Sequence, residues 1–159
     1  MGVTFVLTVA ATVATGLLSG ASLDQSIKQL PARHRIGTVA FSQYSRASDL
    51  AQGVLFYGTL GVGAAILCIA AAIAATLEGV ASQRAIPIYS SAVLAILHSL
   101  VTTQAAPINF RQRQVPPDNA VALAGIFDAF SRWQMVRCIL QTINFGVSLW
   151  ALIAYLQVP

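Results

Sequence analysis

Charged residues are scarce in this chain. Lys, Arg, Asp and Glu together make up 9% of its 159 residues, whereas apolar residues make up 57%. An ordinary soluble domain carries about 25% charged residues, so this composition excludes a typical water-soluble domain. Long uncharged runs instead predict an integral membrane protein, because about 20 consecutive apolar residues span the hydrocarbon core of a bilayer. The length suits one domain over residues 1–159.

Residues that bind metals or carry protons are equally sparse. The two cysteines, Cys68 and Cys138, lie far apart, each in or beside an apolar run, as packing cysteines do. The two histidines and the few carboxylates form no cluster with metal-ligand spacing, so the sequence predicts no metal and no cofactor. No carboxylate lies within an apolar run, which argues against a proton-coupled transporter.

The net charge of +4 does not indicate a nucleic-acid partner. The basic residues lie beside apolar runs, where they set topology and attract anionic headgroups, so the predicted partner is the lipid bilayer. Residues 24–50 and 107–134, together with Arg137, hold eight of the nine Lys and Arg residues, and the opposite side holds Arg84. The positive-inside rule therefore predicts two long cytoplasmic loops in an inner or plasma membrane.

Four apolar runs predict an all-α integral membrane four-helix bundle, with both long loops on one side. The runs cover residues 3–22, 51–77, 86–106 and 136–158. The first run could also be a signal peptide, since residues 19–21 read Ser-Gly-Ala, but no basic segment precedes it. The second long loop contains an amphipathic segment over residues 119–134, which begins after an Asp118 N-cap and could continue into the fourth helix.

The first long loop is expected to begin with a break and then to lie on the membrane surface. Pro31 is expected to break any helix that begins at Leu23. A helical pattern returns from Gly37, and Val39, Phe41, Tyr44 and Leu50 are expected to rest against the membrane interface. Arg46 and Asp49, on the same segment, are expected in water.

Hydroxyl side chains recur on one face of the first helix, at spacings of i, i+4, i+7, i+11 and i+14. They are Thr8, Thr12, Thr15, Ser19 and Ser22. Gly16 and Gly20 add a GxxxG motif, which allows another helix to approach closely. We interpret this stripe as a contact between helices.

Polar side chains form matching stripes on the third and fourth helices. The stripes are Ser91, His98 and Thr102 on the third helix, and Arg137, Gln141, Asn144 and Ser148 on the fourth. Counted from the connection between these antiparallel helices, His98 and Asn144 both lie roughly 12 Å deep at 1.5 Å per residue. Thr102 and Gln141 are predicted to pair nearer the interface.

Polar groups at membrane depth turn toward the bundle interior or a wet cavity, so these stripes predict an interior polar cavity, with Tyr57 on its wall. His98, Arg137 and Asn144 are the candidate catalytic residues, since an imidazole titrates near neutral pH and suits proton transfer. The alternative is that these groups only hydrogen-bond between helices, at about 0.6 kcal/mol each.

Three short motifs resemble a known family. They are TGLLSGASLDQSIKQLPA after the first helix, API-Asn109 after the third, and Phe130-Ser-Arg-Trp133-Gln134-Met-Val-Arg137 at the start of the fourth. Together they are similar to the anthrone-oxygenase-like membrane proteins, a domain family of unknown function (DUF1772).

The resemblance implies a four-helix bundle and, as in some fungal relatives, oxidation of an anthrone by molecular oxygen. It implies site residues at Pro107, Asn109, Trp133, Gln134 and Arg137. This chain carries Gln134 where fungal members tend to have histidine, and glutamine cannot accept a proton in the same way.

These observations predict a membrane protein with a polar intramembrane site for a hydrophobic or aromatic small molecule. The candidate binding residues are Tyr57, Thr102, Asn109, Trp133, Gln134 and Gln141. Two alternatives stay open: a metal-free, anthrone-oxygenase-like oxidoreductase acting at the membrane, and a purely structural or interaction subunit. The sequence leaves the oligomeric state and any protein partner undefined.

Overall fold

A computed structural model describes residues 2–156, and over that range the chain is helical apart from short turns. The α-helices are α1 (Val3–Leu23), α2 (Leu30–Ile36), α3 (Thr38–Ala47), α4 (Gly53–Leu77), α5 (Ser82–Phe110) and α6 (Ala120–Leu156). Shorter helical turns of other pitch join some of them, namely π-helices at Asp24–Gln29 and Ser48–Gln52 and a 3₁₀ helix at Arg111–Gln114.

Four continuous helical segments within residues 2–156 are long and apolar enough to cross a membrane, which confirms the predicted number of long apolar helices. They are Val3–Ile36, Thr38–Leu77, Ser82–Gln114 and Ala120–Leu156. Each is longer than the run that predicted it. The predicted end of the last helix, Val158, lies outside the described residues.

The fourth long helix runs without a break from the amphipathic segment into the apolar run. Helix α6 has 37 residues, and at 1.5 Å per residue it is about 55 Å long. Asn119 caps it, with its side-chain oxygen accepting a hydrogen bond of 3.1 Å from the Ala122 N–H. The predicted cap, Asp118, is therefore wrong by one residue. A hydrocarbon core is about 30 Å thick, so roughly half of α6 extends beyond such a core.

Pro31 does not break the chain's first long helix as expected. It lies in the first turn of α2, and the π-helical turn at Asp24–Gln29 joins α1 to α2 directly. A π-helix bonds to the carbonyl five residues back, so its wider turn relieves the clash that a proline ring makes with the carbonyl four residues back. The helical path ends only at Gly37, whose φ of 87° lies in the left-handed region that glycine tolerates.

The two long connections fold together into a helical cap, made of α2, α3 and residues 120–131 of α6. Its core contains Leu30, Phe41, Leu123, Phe127 and Phe130, and Ala105 of α5 packs in the same cluster. The Phe41 and Phe127 rings meet edge to face with centroids 4.9 Å apart. Phe41 and Leu50 are buried, so the expectation that they rest on a membrane surface is wrong. They pack against other parts of the same chain instead.

Three arginines connect segments of the two long connections to one another. Arg33 donates to Asp128 at 2.7 Å and to Ser131 at 2.5 Å. Arg46 donates to the backbone carbonyls of Gln112 and Val115, the latter at 2.8 Å, so it is not simply solvated as expected. Arg113 donates to the Leu50 carbonyl at 2.6 Å.

Polar side chains face the interior of the bundle, and large apolar side chains face outward. The predicted hydroxyl stripe of α1 is buried along its whole length. It bonds mainly to carbonyls of its own helix, with cross-links such as Thr12 to the Ser148 carbonyl at 3.2 Å. Large aliphatic side chains such as Val13, Ile66 and Ile143 are exposed on the outside.

The predicted GxxxG motif makes a close contact at only one of its two glycines. A Cβ added to Gly16 would lie 2.9 Å from the Phe145 ring, whereas one added to Gly20 would meet nothing within 4 Å. Cys68 and Cys138 are free and buried, as predicted for packing residues.

Candidate functional site

A cavity of about 180 Å³ lies where α4, α5 and α6 meet the underside of the cap. Its polar lining consists of Gln25, Asp49, Tyr57, Thr102, Asn109 and Arg137. Its apolar lining consists of Leu50, Gly53, Val54, Gly58, Ala106, Phe110 and Phe130. Four of the residues predicted to form a site, Tyr57, Thr102, Asn109 and Arg137, therefore line one cavity, which we call the cap cavity.

The cap cavity holds one guanidinium group, that of Arg137. Its Nη1 donates to the side-chain oxygen of Gln134 at 2.9 Å, while its Nε is buried without a hydrogen-bond partner. Neither of the two ion pairs found within residues 2–156 includes Arg137. A partly buried cation beside a neutral amide is thus left without a counter-ion from the described part of the chain.

The Asp49 carboxylate lines the same cavity but is held by the cap. It accepts hydrogen bonds from the Ser45 hydroxyl at 2.9 Å and from the Ser48 hydroxyl at 3.3 Å. Sequence analysis placed Asp49 in water, and the structure corrects that prediction: the side chain is half-buried. The reason is the π-helical turn at Ser48–Gln52, which joins α3 to α4 and turns this segment inward.

Asn109 belongs to a buried amide network above the cavity. Its side-chain oxygen accepts a hydrogen bond of 2.6 Å from the amide nitrogen of Gln112, which also donates to Ser45 at 3.1 Å. Gln112 is fully buried. The network therefore connects the end of α5 to α3 of the cap and fixes the roof of the cavity.

The rim of the cap cavity is apolar. Among its lining residues, the exposed ones are Val54, Gly58 and Phe110, and the polar ones are all buried or half-buried. An opening bordered by such residues favours the entry of an apolar molecule over that of a strongly hydrated one. Contact between apolar surfaces at the opening is favourable, both in water and next to lipid.

His98 and Asn144, two of the candidate catalytic residues, do not line the cap cavity. They border a much smaller void of about 10 Å³ deeper in the bundle, together with Gln141. That volume is at the lower limit for a single water molecule. The structure therefore does not bring the three candidate catalytic residues, His98, Arg137 and Asn144, to one ligand-sized space.

The predicted pairing of α5 with α6 is displaced by about one helical turn. The Gln141 amide nitrogen donates to His98 Nε2 at 2.5 Å, and Ser91 donates to the Asn144 oxygen at 2.7 Å. Thr102 lies 3.2 Å from His98 Nε2, and so connects the void to the cap cavity. Both helices extend beyond the apolar runs by unequal amounts, so counting from the ends of those runs misplaced the register.

Gln134 and Trp133 lie outside the cap cavity. Gln134 is buried, donating to Ser22 at 2.9 Å while accepting from Arg137, so it links α6 to α1 and supports the guanidinium. Trp133 is 37% exposed. Sequence reasoning missed Gln25, Asp49 and Phe130, because all three belong to connections whose path no periodicity in the sequence defines.

A second depression lies on the outside of the cap, with a volume of about 210 Å³. Its guanidinium, Arg33, already forms an ion pair with Asp128 at 2.7 Å. The cap cavity is the stronger candidate site because its cation is uncompensated.

No group of three or more His, Cys, Asp or Glu side chains within residues 2–156 is placed to hold a metal ion. No family model, curated protein or solved structure matches this chain.

Proposed function

We propose that this chain is an integral membrane protein that binds a hydrophobic or aromatic small molecule in the cap cavity. The observation that carries the proposal is the cavity itself, in which an apolar rim leads to a convergent set of polar side chains. Ligand sites commonly combine apolar walls with a few fixed polar groups. The inside-out distribution of side chains supports a lipid environment, since polar groups at membrane depth turn inward.

In the proposed arrangement the helical cap lies on the cytoplasmic side of an inner or plasma membrane. The excess of Lys and Arg in and near the cap supports this orientation. The exposed rim residues Val54 and Phe110 then lie close to the acyl chains. A ligand dissolved in the bilayer enters the cavity laterally from the membrane.

A binding role is favoured over the oxidoreductase suggested by the anthrone-oxygenase-like resemblance. Proton transfer requires the acid or base within hydrogen-bond reach of the substrate. His98 borders a void too small for a substrate, and Gln134 packs against α1 outside the cavity. Four polar side chains that the sequence singled out do line a space of ligand size.

Identification of what co-purifies with the protein tests this proposal. The protein is purified from its membrane in a neutral detergent, and bound small molecules are extracted and identified by mass spectrometry. Gly58→Trp places a large side chain at the rim, and Gly63→Trp is the matched control on the same helix. A Cβ added to either glycine meets nothing within 4 Å, so both variants are expected to fold.

The expected result is an apolar compound at a constant molar ratio in the wild type and Gly63→Trp, and its loss in Gly58→Trp. If the same compounds appear in equal amounts in all three proteins, they are carried by the detergent and lipid, and the proposed binding site is wrong.

A further inference from the structure

The charge of Arg137 narrows the class of ligand. Moving an ion into a poorly solvated site is costly unless it is paired, and Arg137 is only partly exposed, has no ion pair and has a buried Nε without a partner. Its guanidinium donates a hydrogen bond to the neutral side chain of Gln134. Arg33 provides the contrast within the same chain, since its guanidinium is neutralised by Asp128.

The cavity's own carboxylate does not compensate this charge. Asp49 and Arg137 both line the cavity, but neither ion pair found within residues 2–156 joins them, and Asp49 accepts hydrogen bonds from the hydroxyls of Ser45 and Ser48. A guanidinium presents a planar set of N–H donors that matches a carboxylate. A ligand group with the chemistry of an oxyanion therefore matches this site.

We infer that the ligand is an apolar carboxylic acid, bound with its carboxylate at Arg137 and its apolar body between Val54, Phe110 and Phe130. This inference rests on the proposed function. An apolar cavity of about 150 Å³ accommodates benzene, so the cap cavity of about 180 Å³ suits a small aromatic body or the first carbons of an acyl chain. Aromatic acids and fatty acids share this chemistry.

The test uses full-length protein in nanodiscs of phosphatidylcholine, with empty nanodiscs as the blank. Binding is measured by equilibrium dialysis for 2-naphthoate, for decanoate and for 2-naphthalenemethanol, which is close in shape to the first probe but uncharged. The first two probes distinguish an aromatic acid from a fatty acid. The comparison of the first and third isolates the contribution of the charge.

Hydrogen bonds to charged groups contribute about 1.5–3 kcal/mol, so wild-type protein is expected to bind at least one of the acids about tenfold or more tighter than the alcohol. Arg137→Gln is expected to remove that advantage, because it weakens binding of the acids far more than binding of the alcohol. Arg137→Lys keeps part of the advantage. Arg132 is an exposed arginine of α6 outside the cavity. Arg132→Gln is therefore expected to change neither the affinity for the acids nor the affinity for the alcohol.

The inference is overturned if the alcohol binds as tightly as both acids. It is also overturned if Arg137→Gln lowers the affinity for all three probes equally. In either case the proposed function stands. If the wild type binds none of the three probes saturably, both the inference and the proposed function are wrong. If Arg137→Gln cannot be purified, Asp49→Asn replaces it. Removal of this negative charge is expected to raise affinity for the acid without changing that for the alcohol, and an equal or lowered affinity for the acid contradicts the inference.

Discussion

The pair formed by His98 and Gln141 is the clearest residue-scale connection between α5 and α6. The amide nitrogen of Gln141 donates to the imidazole at 2.5 Å, while its oxygen is buried without a partner. Such a pair holds two helices together, and neither of its residues lines the cap cavity. Its role in the account is structural.

A double-mutant cycle on this pair is therefore expected to show coupling. His98→Leu should lower the free energy of unfolding by about 1–3 kcal/mol, because it leaves the whole Gln141 amide unpaired. The double variant His98→Leu, Gln141→Leu should lose less free energy of unfolding than the two single variants together, by about 0.6 kcal/mol. The measurement is unfolding by a denaturing detergent in bicelles.

Ile143→Ala is the control partner for the same cycle, since Ile143 is exposed on the outside of α6 and should combine additively with His98→Leu. Additivity for His98 and Gln141 as well would contradict the hydrogen bond between them.

At the scale of elements, periodicity predicted which helix faces turn inward. The hydroxyl stripe of α1 is buried, and the polar faces of α5 and α6 are buried or half-buried, because in a helix the side-chain spacing alone defines a face. The register between α5 and α6 was not predictable in the same way. It depends on where the connection folds back, and the 3₁₀ turn at Arg111–Gln114 carries no apolar pattern to show it.

The helical cap also could not be predicted from the sequence. Pro31 indicates a break by the usual rule, and the π-helical turn that accommodates it has no established sequence signature. Arg46 and Asp49 look solvated from composition, yet they bond to backbone and serine groups of segments distant in sequence. Part of the candidate site therefore depends on contacts between segments that are distant in sequence.

The cap is expected to depend on its aromatic core. Phe127 is fully buried and packs on Phe41, and replacing such a phenylalanine by alanine costs about 3–5 kcal/mol. Phe127→Ala should speed tryptic cleavage at Arg35 and Arg111, whereas the apolar helices stay protected by the detergent or lipid. The readout is the rate of proteolysis followed by mass spectrometry.

Val121→Ala is the matched control, because Val121 lies on the same part of α6 and is 86% exposed. Equal cleavage rates in wild type, Phe127→Ala and Val121→Ala would show that the cap is not held together by its apolar core.

At the scale of the whole molecule, the proposed four membrane crossings would place the cap and the turn after α4 on opposite sides of the membrane. Single cysteines are introduced by Gln43→Cys, Gln83→Cys or Asp118→Cys, in a chain whose two native cysteines are replaced by alanine. An impermeant maleimide should label Gln83→Cys in intact cells, and label the other two only after permeabilisation. Labelling of all three from the same side would contradict the proposed crossings.

Occupation of the cap cavity by an apolar ligand is the claim on which the account depends, and site-resolved photolabelling tests it most directly. An aromatic carboxylic acid that carries a diazirine is irradiated with the protein in nanodiscs, and modified residues are located by mass spectrometry. If the ligand occupies the cavity, modification is expected at Val54, Tyr57 and Phe110, and it is expected to be lost in Gly58→Trp. Modification spread over outward-facing residues such as Leu100 and Ile143, and unchanged in Gly58→Trp, would contradict it.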